Sequence, residues 1–291
     1  MLHGGQRRRP RGRCRNVVRH ITLRQLTVNR QRKRARQKWW HPCEDVLVTT
    51  QQTSTAADPS SLPNELPVPA PVDHVIVCPG GGYVGYAENE GEPVVAWLRR
   101  LGLSASAFRY PVHSRHPAPV DAVRAEVARI RGSGTRRVAL MGFSAGGHVA
   151  GHAALTGTGH ERADAAVLCY PVVSMEVDAH EGSRRELLGE ASGAEERSAT
   201  SLEQLVTADA PPFFLWHTAD DPSVSVRHSY LLAEALSKHG VSHALHVFPE
   251  GEHGLGLAAG SGEPEAWTAL CASWLAAQGW LKTGEAGPLD D

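Results

Sequence analysis

Five consecutive residues, Gly142-Phe143-Ser144-Ala145-Gly146, carry the strongest chemical signal in the 291-residue chain. A serine hydroxyl is a weak nucleophile until a neighbouring base takes its proton, and it reaches an acyl carbon best from a sharp, exposed turn. Glycine on both flanks permits that turn, because the strand before it and the helix after it must approach without intervening Cβ atoms. A G-x-S-x-G match arises by composition alone in roughly one chain in ten of this size at a glycine usage of about 7%, so placement decides its meaning. Here it directly follows the apolar run RVALM (137–141) and opens a helical pattern, the setting of a nucleophile elbow. The helix beginning at Ala145 would aim its amino-terminal dipole and free N–H groups at an oxyanion formed beside Ser144.

A base and an acid must follow in the order Ser, Asp, His. After residue 217 the histidines are His228, His239, His243, His246 and His253. The first two fall on a helical pattern and the next two flank or enter a strand, whereas His253 lies in the loop Pro249-Glu250-Gly251-Glu252-His253-Gly254. Glycines on either side let that loop turn the imidazole back towards Ser144, which a general base must approach to about 3 Å. For the acid, TADDPSV (218–224) offers two adjacent carboxylates just past an apolar strand. Asp221 is preferred, because Asp221-Pro222-Ser223-Val224 fits an acid turn of Asp, two variable residues and Val; Asp220 remains the alternative. His148, His152 and His217 read as packed or hydrogen-bonded structural histidines.

A second glycine cluster, Pro79-Gly80-Gly81-Gly82-Tyr83, follows the strand-like run HVIVC (74–78). Glycines there can expose backbone N–H groups to a tetrahedral intermediate without a clashing Cβ. The amides of Gly81 and Ala145 are the expected oxyanion donors, with Gly80 and Gly82 as alternatives. A phosphate-loop reading lacks the required G-x-x-x-x-G-K-[ST]. The chain holds sixteen histidines, yet none form an H-E-x-x-H or comparable set, so neither a metal nor another cofactor is expected.

The elements that must position these groups alternate along the chain. Strand-like runs HVIVC (74–78), SASAF (104–108), RVALM (137–141), AAVLCY (165–170), PFFLWH (212–217) and ALHVF (244–248) are separated by helical patterns near 91–101, 119–131, 145–155, 226–239 and 264–277. Short apolar strands alternating with amphipathic helices predict a doubly wound α/β fold, its mostly parallel sheet covered on both faces. Residues 171–210 break the alternation and are expected to form a small helical insertion at the carboxyl edge of the sheet, where ligands bind in such folds.

Residues 1–43 carry 14 Lys and Arg and no acid, so all 31 Asp and Glu lie beyond them. Repulsion between such closely spaced charges favours a disordered basic tail, and the Ser/Thr/Pro-rich residues 51–72 read as linker, giving a tail and linker over 1–72 and a catalytic domain over 73–291. The acidic body argues against nucleic acid as a main ligand, with the tail as a minor exception. No run approaches the roughly 18 apolar residues of a membrane span. The basic start lacks a following apolar stretch of a secretion signal, and five cysteines without metal-ligand spacing read as buried thiols, so a cytoplasmic location is expected. Oligomeric state has no signature in the sequence.

With these residues placed, the chain from about Val75 to Leu281 resembles the acetylesterase and acetyl xylan esterase-like branch of the α/β-hydrolases. The resemblance rests on CPGGGY (78–83), RYPVH (109–113), MGFSAGGH (141–148), WHTADDP (216–222) and FPEGEHGLGL (248–257). It implies an α/β-hydrolase fold and hydrolysis of short acyl esters, often on carbohydrates, through an acyl-enzyme, with Ser144, Asp221 and His253 as the triad. Position 79 departs from the family's usual loop, having Pro where that loop begins with His. Tyr83 and Tyr86 are expected to line the acyl or sugar pocket of a small-molecule ester substrate. The competing readings are a serine peptidase of the same fold and a non-catalytic α/β-hydrolase that only binds.

Overall fold

The computed structural model describes residues 72–281, so nearly all of the expected tail and linker, including Cys14 and Cys43, lies outside the described residues. Six strands form one sheet: β1 (His74–Cys78), β2 (Ser104–Ala107), β3 (Val138–Phe143), β4 (Ala165–Cys169), β5 (Phe213–Thr218) and β6 (His243–Phe248). Their order is β2-β1-β3-β4-β5-β6 and every neighbouring pair is parallel. The helices between them are α1 (Glu92–Arg100), α2 (Ala118–Gly132), α3 (Ser144–Thr156), α4 (Glu181–Leu188), α5 (Ala194–Thr200), α6 (Leu202–Leu205), α7 (Arg227–Lys238) and α8 (Trp267–Ala277).

Strand periodicity sorts side chains into two cores. Ile76, Cys78, Leu140, Leu168 and Leu215 face one side, where α2, α3 and α7 cover them. Val75, Val77, Met141, Val167 and Trp216 face the other, against α1 and α8. Because both faces are covered, β1, β3, β4 and β5 are buried throughout, which explains why they read as continuous apolar runs. The edge strand β6 is only half-buried along its length.

The chain moves outward from β1 to β2 and then returns to β3 on the other side of β1. The crevice between β1 and β3 is therefore the topological switch point, where ligands bind beyond the carboxyl ends of the strands. The Pro79–Gly82 loop and Ser144 leave β1 and β3 at this crevice. The stretch 171–210 holds the three short helices α4, α5 and α6. No helix among the described residues is long and apolar enough to cross a membrane.

Candidate active site

Ser144 follows Phe143, the last residue of β3, and is itself the first residue of α3. Its φ of 52° lies in the left-handed region, which costs a non-glycine residue about 1–2 kcal/mol. The neighbouring glycines make the turn buildable. A Cβ on Gly142 would sit 2.2 Å from the Gly146 carbonyl oxygen, and one on Gly146 would sit 2.1 Å from the Cys78 carbonyl oxygen. Both contacts are with backbone, so nothing can swing aside.

The His253 Nε2 lies 2.8 Å from Ser144 Oγ, and its Nδ1 lies 2.7 Å from Asp221 Oδ2. A carboxylate only accepts, so Nδ1 carries the proton and Nε2 is left to accept from the serine hydroxyl. The Asp221 side chain is fully buried, whereas the His253 side chain is 19% exposed. The other oxygen, Oδ1, accepts from the amides of Ser223 at 2.8 Å and Val224 at 2.9 Å. Burial pushes the Asp221 carboxyl up, but hydrogen bonds from His217, His253 and the Val224 amide outweigh it and hold the group well below the usual carboxylate range. The acid beside His253 therefore stays ionised.

Asp220 takes a different part. Its Oδ1 accepts from the Gly251 amide at 2.7 Å, so it anchors the loop that carries His253 and does not touch the imidazole. His217 lies wholly buried behind the acid. Its Nε2–H donates to the Val224 carbonyl at 2.9 Å and stands 3.4 Å from Asp221 Oδ2, while Nδ1 accepts from the Ser229 hydroxyl at 2.8 Å.

The glycine loop packs directly on the nucleophile: a Cβ on Gly80 would lie 2.9 Å from Ser144 Cβ. Two expectations about this loop need correcting. The Gly80 amide is not available to an oxyanion, because it donates to Glu90 Oε2 at 2.7 Å. Tyr83 does not line a pocket: with φ at 66° its side chain turns into the core, where it is fully buried and hydrogen-bonded to His148 Nδ1 at 2.7 Å. Among the described residues nothing accepts from the amides of Gly81 or Gly82. Ala145, in the first turn of α3, has no preceding turn to bond to. Tyr86 is half-buried, with its hydroxyl on the Tyr110 carbonyl and the Arg109 guanidinium 5.5 Å above its ring.

His148 and His152 are structural, on α3. His148 bonds Tyr83 and the Thr200 carbonyl, and burial holds its pKa down at about 3. Burial, helped by neighbouring His116, holds His152 at about 4. Glu90, Tyr170 and Asn89, which touch the loops of the site, carry no motif, and nothing in the polar run ENEGEP (88–93) singles out Glu90 from the glutamates at 88 and 92. Among the described residues no group of three or more His, Cys, Asp or Glu converges as a metal-binding set.

Residues 121–279, which contain Ser144, Asp221 and His253, match the sequence profile of the prolyl oligopeptidase family. The chain belongs to that family. Its fold is that of the α/β-hydrolases, and relatives within the group include esterases by name. An endo-1,4-β-xylanase B of Butyrivibrio fibrisolvens is 33% identical over 212 residues, covering 64% of this chain and 33% of that one. An acetylxylan esterase of Xylanibacter ruminicola is 28% identical over 196 residues, covering 63% of this chain and 41% of that one. The chain thus spans well under half the length of these curated relatives. Among solved structures, an acetyl ester-xyloside bifunctional hydrolase from Caldicellulosiruptor lactoaceticus superposes with a TM-score of 0.71 at 39% identity, over 75% of this chain and 87% of that one.

Proposed function

We propose that the protein is a serine carboxylic-ester hydrolase acting on short-chain acyl esters, chiefly acetyl esters borne by carbohydrates. The observation that carries this reading is the unbroken hydrogen-bonded line from Ser144 Oγ through His253 to the buried, ionised Asp221. Relatives whose names include acetylxylan esterase and acetyl ester-xyloside hydrolase favour the acetyl and sugar parts of the proposal.

In this reading His253 Nε2 takes the Ser144 proton as Oγ attacks the ester carbonyl. The backbone amides of Ala145 and Gly81, with Gly82 as the alternative to Gly81, receive the oxyanion, and Asp221 stabilises the imidazolium. The imidazolium protonates the departing alcohol. Water, deprotonated by the same histidine, then releases the acid from the acyl-enzyme. Every group in the cycle belongs to the chain, so the reaction requires no cofactor. Tyr86 is kept as the pocket-lining aromatic. A cytoplasmic setting is part of the same proposal, supported by the free thiols of Cys78, Cys169 and Cys271, all buried.

The test compares p-nitrophenyl acetate, butyrate and octanoate, together with acetylated xylo-oligosaccharides, as substrates for wild type and Ser144→Ala. Acetate esters should be cleaved fastest, and the variant should lose about 10⁴-fold or more in kcat while keeping its fold. Faster cleavage of peptide amides would replace this reading with a peptidase, as the family's name suggests; wild type inert to both would leave a binding module.

A further inference from the structure

One carboxylate in the site remains without a role. Glu90 closes the short 3-10 turn Glu88–Glu90 ahead of α1 and is 1% exposed. Among the described residues no Lys or Arg pairs with it, so it is a buried carboxyl without a cationic partner, an arrangement unfavourable for stability alone. Each of its oxygens accepts one hydrogen bond: Oε2 from the Gly80 amide and Oε1 from the Tyr170 hydroxyl, both at 2.7 Å. The Tyr170 oxygen in turn accepts from the Gly256 amide at 2.8 Å. Its ring stands edge-on to the His253 imidazole, with centroids 5.0 Å apart. Next to Glu90, the Asn89 side-chain amide donates to the Gly254 carbonyl at 2.8 Å.

Three hydrogen bonds therefore run from the oxyanion loop through Glu90 and Tyr170 to the histidine loop. All donors point towards Glu90, so a carboxylate, which only accepts, satisfies the whole chain. Burial raises its carboxyl above the ordinary carboxylate range, and the Tyr170 and Gly80 bonds offset only part of that rise. The imidazolium formed when Ser144 attacks is a positive charge that develops near this carboxyl during the reaction, across the Tyr170 ring.

We propose that Glu90 is a positioning residue that holds the oxyanion loop and the His253 loop in one register across Ser144, acting through the Gly80 amide and Tyr170. This rests on the serine-hydrolase reading above. Glu90 touches neither substrate nor reacting atoms. Its effect lies in transition-state geometry, so it acts on kcat more than on KM.

The experiment uses the full chain as wild type, Glu90→Gln, Tyr170→Phe and the double variant. Gln is isosteric but its NH₂ must face one of the two donors; Phe removes only the shared hydroxyl. Two readouts are taken: the second-order rate at which a fluorophosphonate labels Ser144, and kcat and KM on p-nitrophenyl acetate with enzyme counted by that label. The proposal expects labelling and kcat to fall about 10- to 100-fold in each single variant with KM within about 3-fold, and the double variant to be no slower than the slower single. Rates within about 2-fold of wild type, full additivity of the two substitutions, or a rise in KM at unchanged kcat would overturn it. Should Glu90→Gln fail to fold, Tyr170→Phe decides by the same two rates. If wild type is labelled but leaves the ester intact, the esterase reading fails, while the labelling ratios still decide the role of Glu90. If wild type is not labelled, both fall.

Discussion

The turn that carries Ser144 and the loop that carries His253 meet at one hydrogen bond, yet the chain holds them by different means. The serine turn is fixed by contact: Gly142 and Gly146 bring backbone against backbone at distances that exclude any side chain. The histidine loop makes one comparable approach, at Gly256, where a Cβ would lie 2.8 Å from the Asn89 carbonyl oxygen, and is otherwise held from outside by polar groups. Thr218 Oγ1 donates to the Gly251 carbonyl, Asp220 accepts from the Gly251 amide, Asn89 donates to the Gly254 carbonyl and Tyr170 accepts from the Gly256 amide. Steric fixation is all-or-none, whereas each hydrogen bond contributes about 0.5–1.5 kcal/mol and can be lost singly. The Ser144 turn should therefore tolerate almost no change around it, and the His253 loop should loosen by degrees.

The largest expected effect follows on the serine side. Gly146→Val places a branched side chain where one Cβ would already lie 2.1 and 2.3 Å from the carbonyl oxygens of Cys78 and Pro79. Strands β1 and β3 would have to part from α3, and we expect no soluble folded protein, read by yield and circular dichroism. By contrast, Gly254→Ala on the histidine side meets nothing nearer than Glu90 Oε1 at 3.9 Å, and faces only the strain of φ at 80°, about 1–2 kcal/mol. Folded, abundant Gly146→Val protein would refute the idea that contact fixes the elbow.

Next in size is the link between the two regions. Asp221→Asn keeps the shape of a buried side chain but removes the charge that orients His253 Nδ1–H. We expect kcat to drop about 10³- to 10⁴-fold at neutral pH with the melting temperature little changed. A loss below about 10-fold would show that Asp221 does not serve as the acid.

The same contrast explains what a reader of the sequence can and cannot place. Ser144 and its glycines announce themselves within five residues, because the constraint is local. His253 stands out by its loop between glycines, but the groups that hold it come from residues 89, 170, 218 and 220, and no spacing rule connects them. Asp220 and Asp221 are adjacent, so only three-dimensional geometry separates the carboxylate that meets the Gly251 amide from the one that meets His253 Nδ1. Gly80 looks equivalent to Gly81 until Glu90, ten residues on, takes its amide. The central strands are legible as apolar runs because both sheet faces are covered. The last helix is less so: the pattern from 264 begins as a 3-10 turn, Glu263–Ala266, before α8. Helices α4 to α6 have four to eight residues each, too short for periodicity to fix their ends.

Acid should strain the serine side through its helix. His148 and His152, buried on α3, have pKa values of about 3 and about 4, below the ordinary 6.5. As pH falls through about 6.5 the unfolded chain takes up these protons and the folded chain does not. Stability is therefore full above about pH 6.5 and is lost below it, by on the order of 1 kcal/mol per pH unit for each histidine. Asp73 and Asp221, both held low, keep their contribution down to about pH 4 and lose it only in stronger acid. Glu90 and Glu203, whose carboxyls burial raises, act in the opposite sense just above pH 4.5 and reduce the net slope there. The melting temperature should fall steadily from pH 7 to pH 5, and His148→Gln should flatten that fall. A melting temperature constant over this range would refute the account.

The smallest effect isolates one tether of the histidine loop. Asp220→Ala removes the acceptor of the Gly251 amide, but Thr218 still holds the Gly251 carbonyl, and Asn89 and Tyr170 hold the far side of His253. With three of four anchors intact, the imidazole should spend only part of its time out of line. One lost hydrogen bond at an exposed position corresponds to about 1 kcal/mol, so kcat should fall about 3- to 10-fold with KM unchanged. Asp220 is solvent-accessible, so water can satisfy the freed amide and the melting temperature should move little. Combining Asp220→Ala with Asn89→Ala should then multiply the losses, because the two tethers grip opposite sides of His253. A fall as steep as that of Asp221→Asn would mean instead that the loop has a single dominant anchor, and that His253, like Ser144, is held all-or-none.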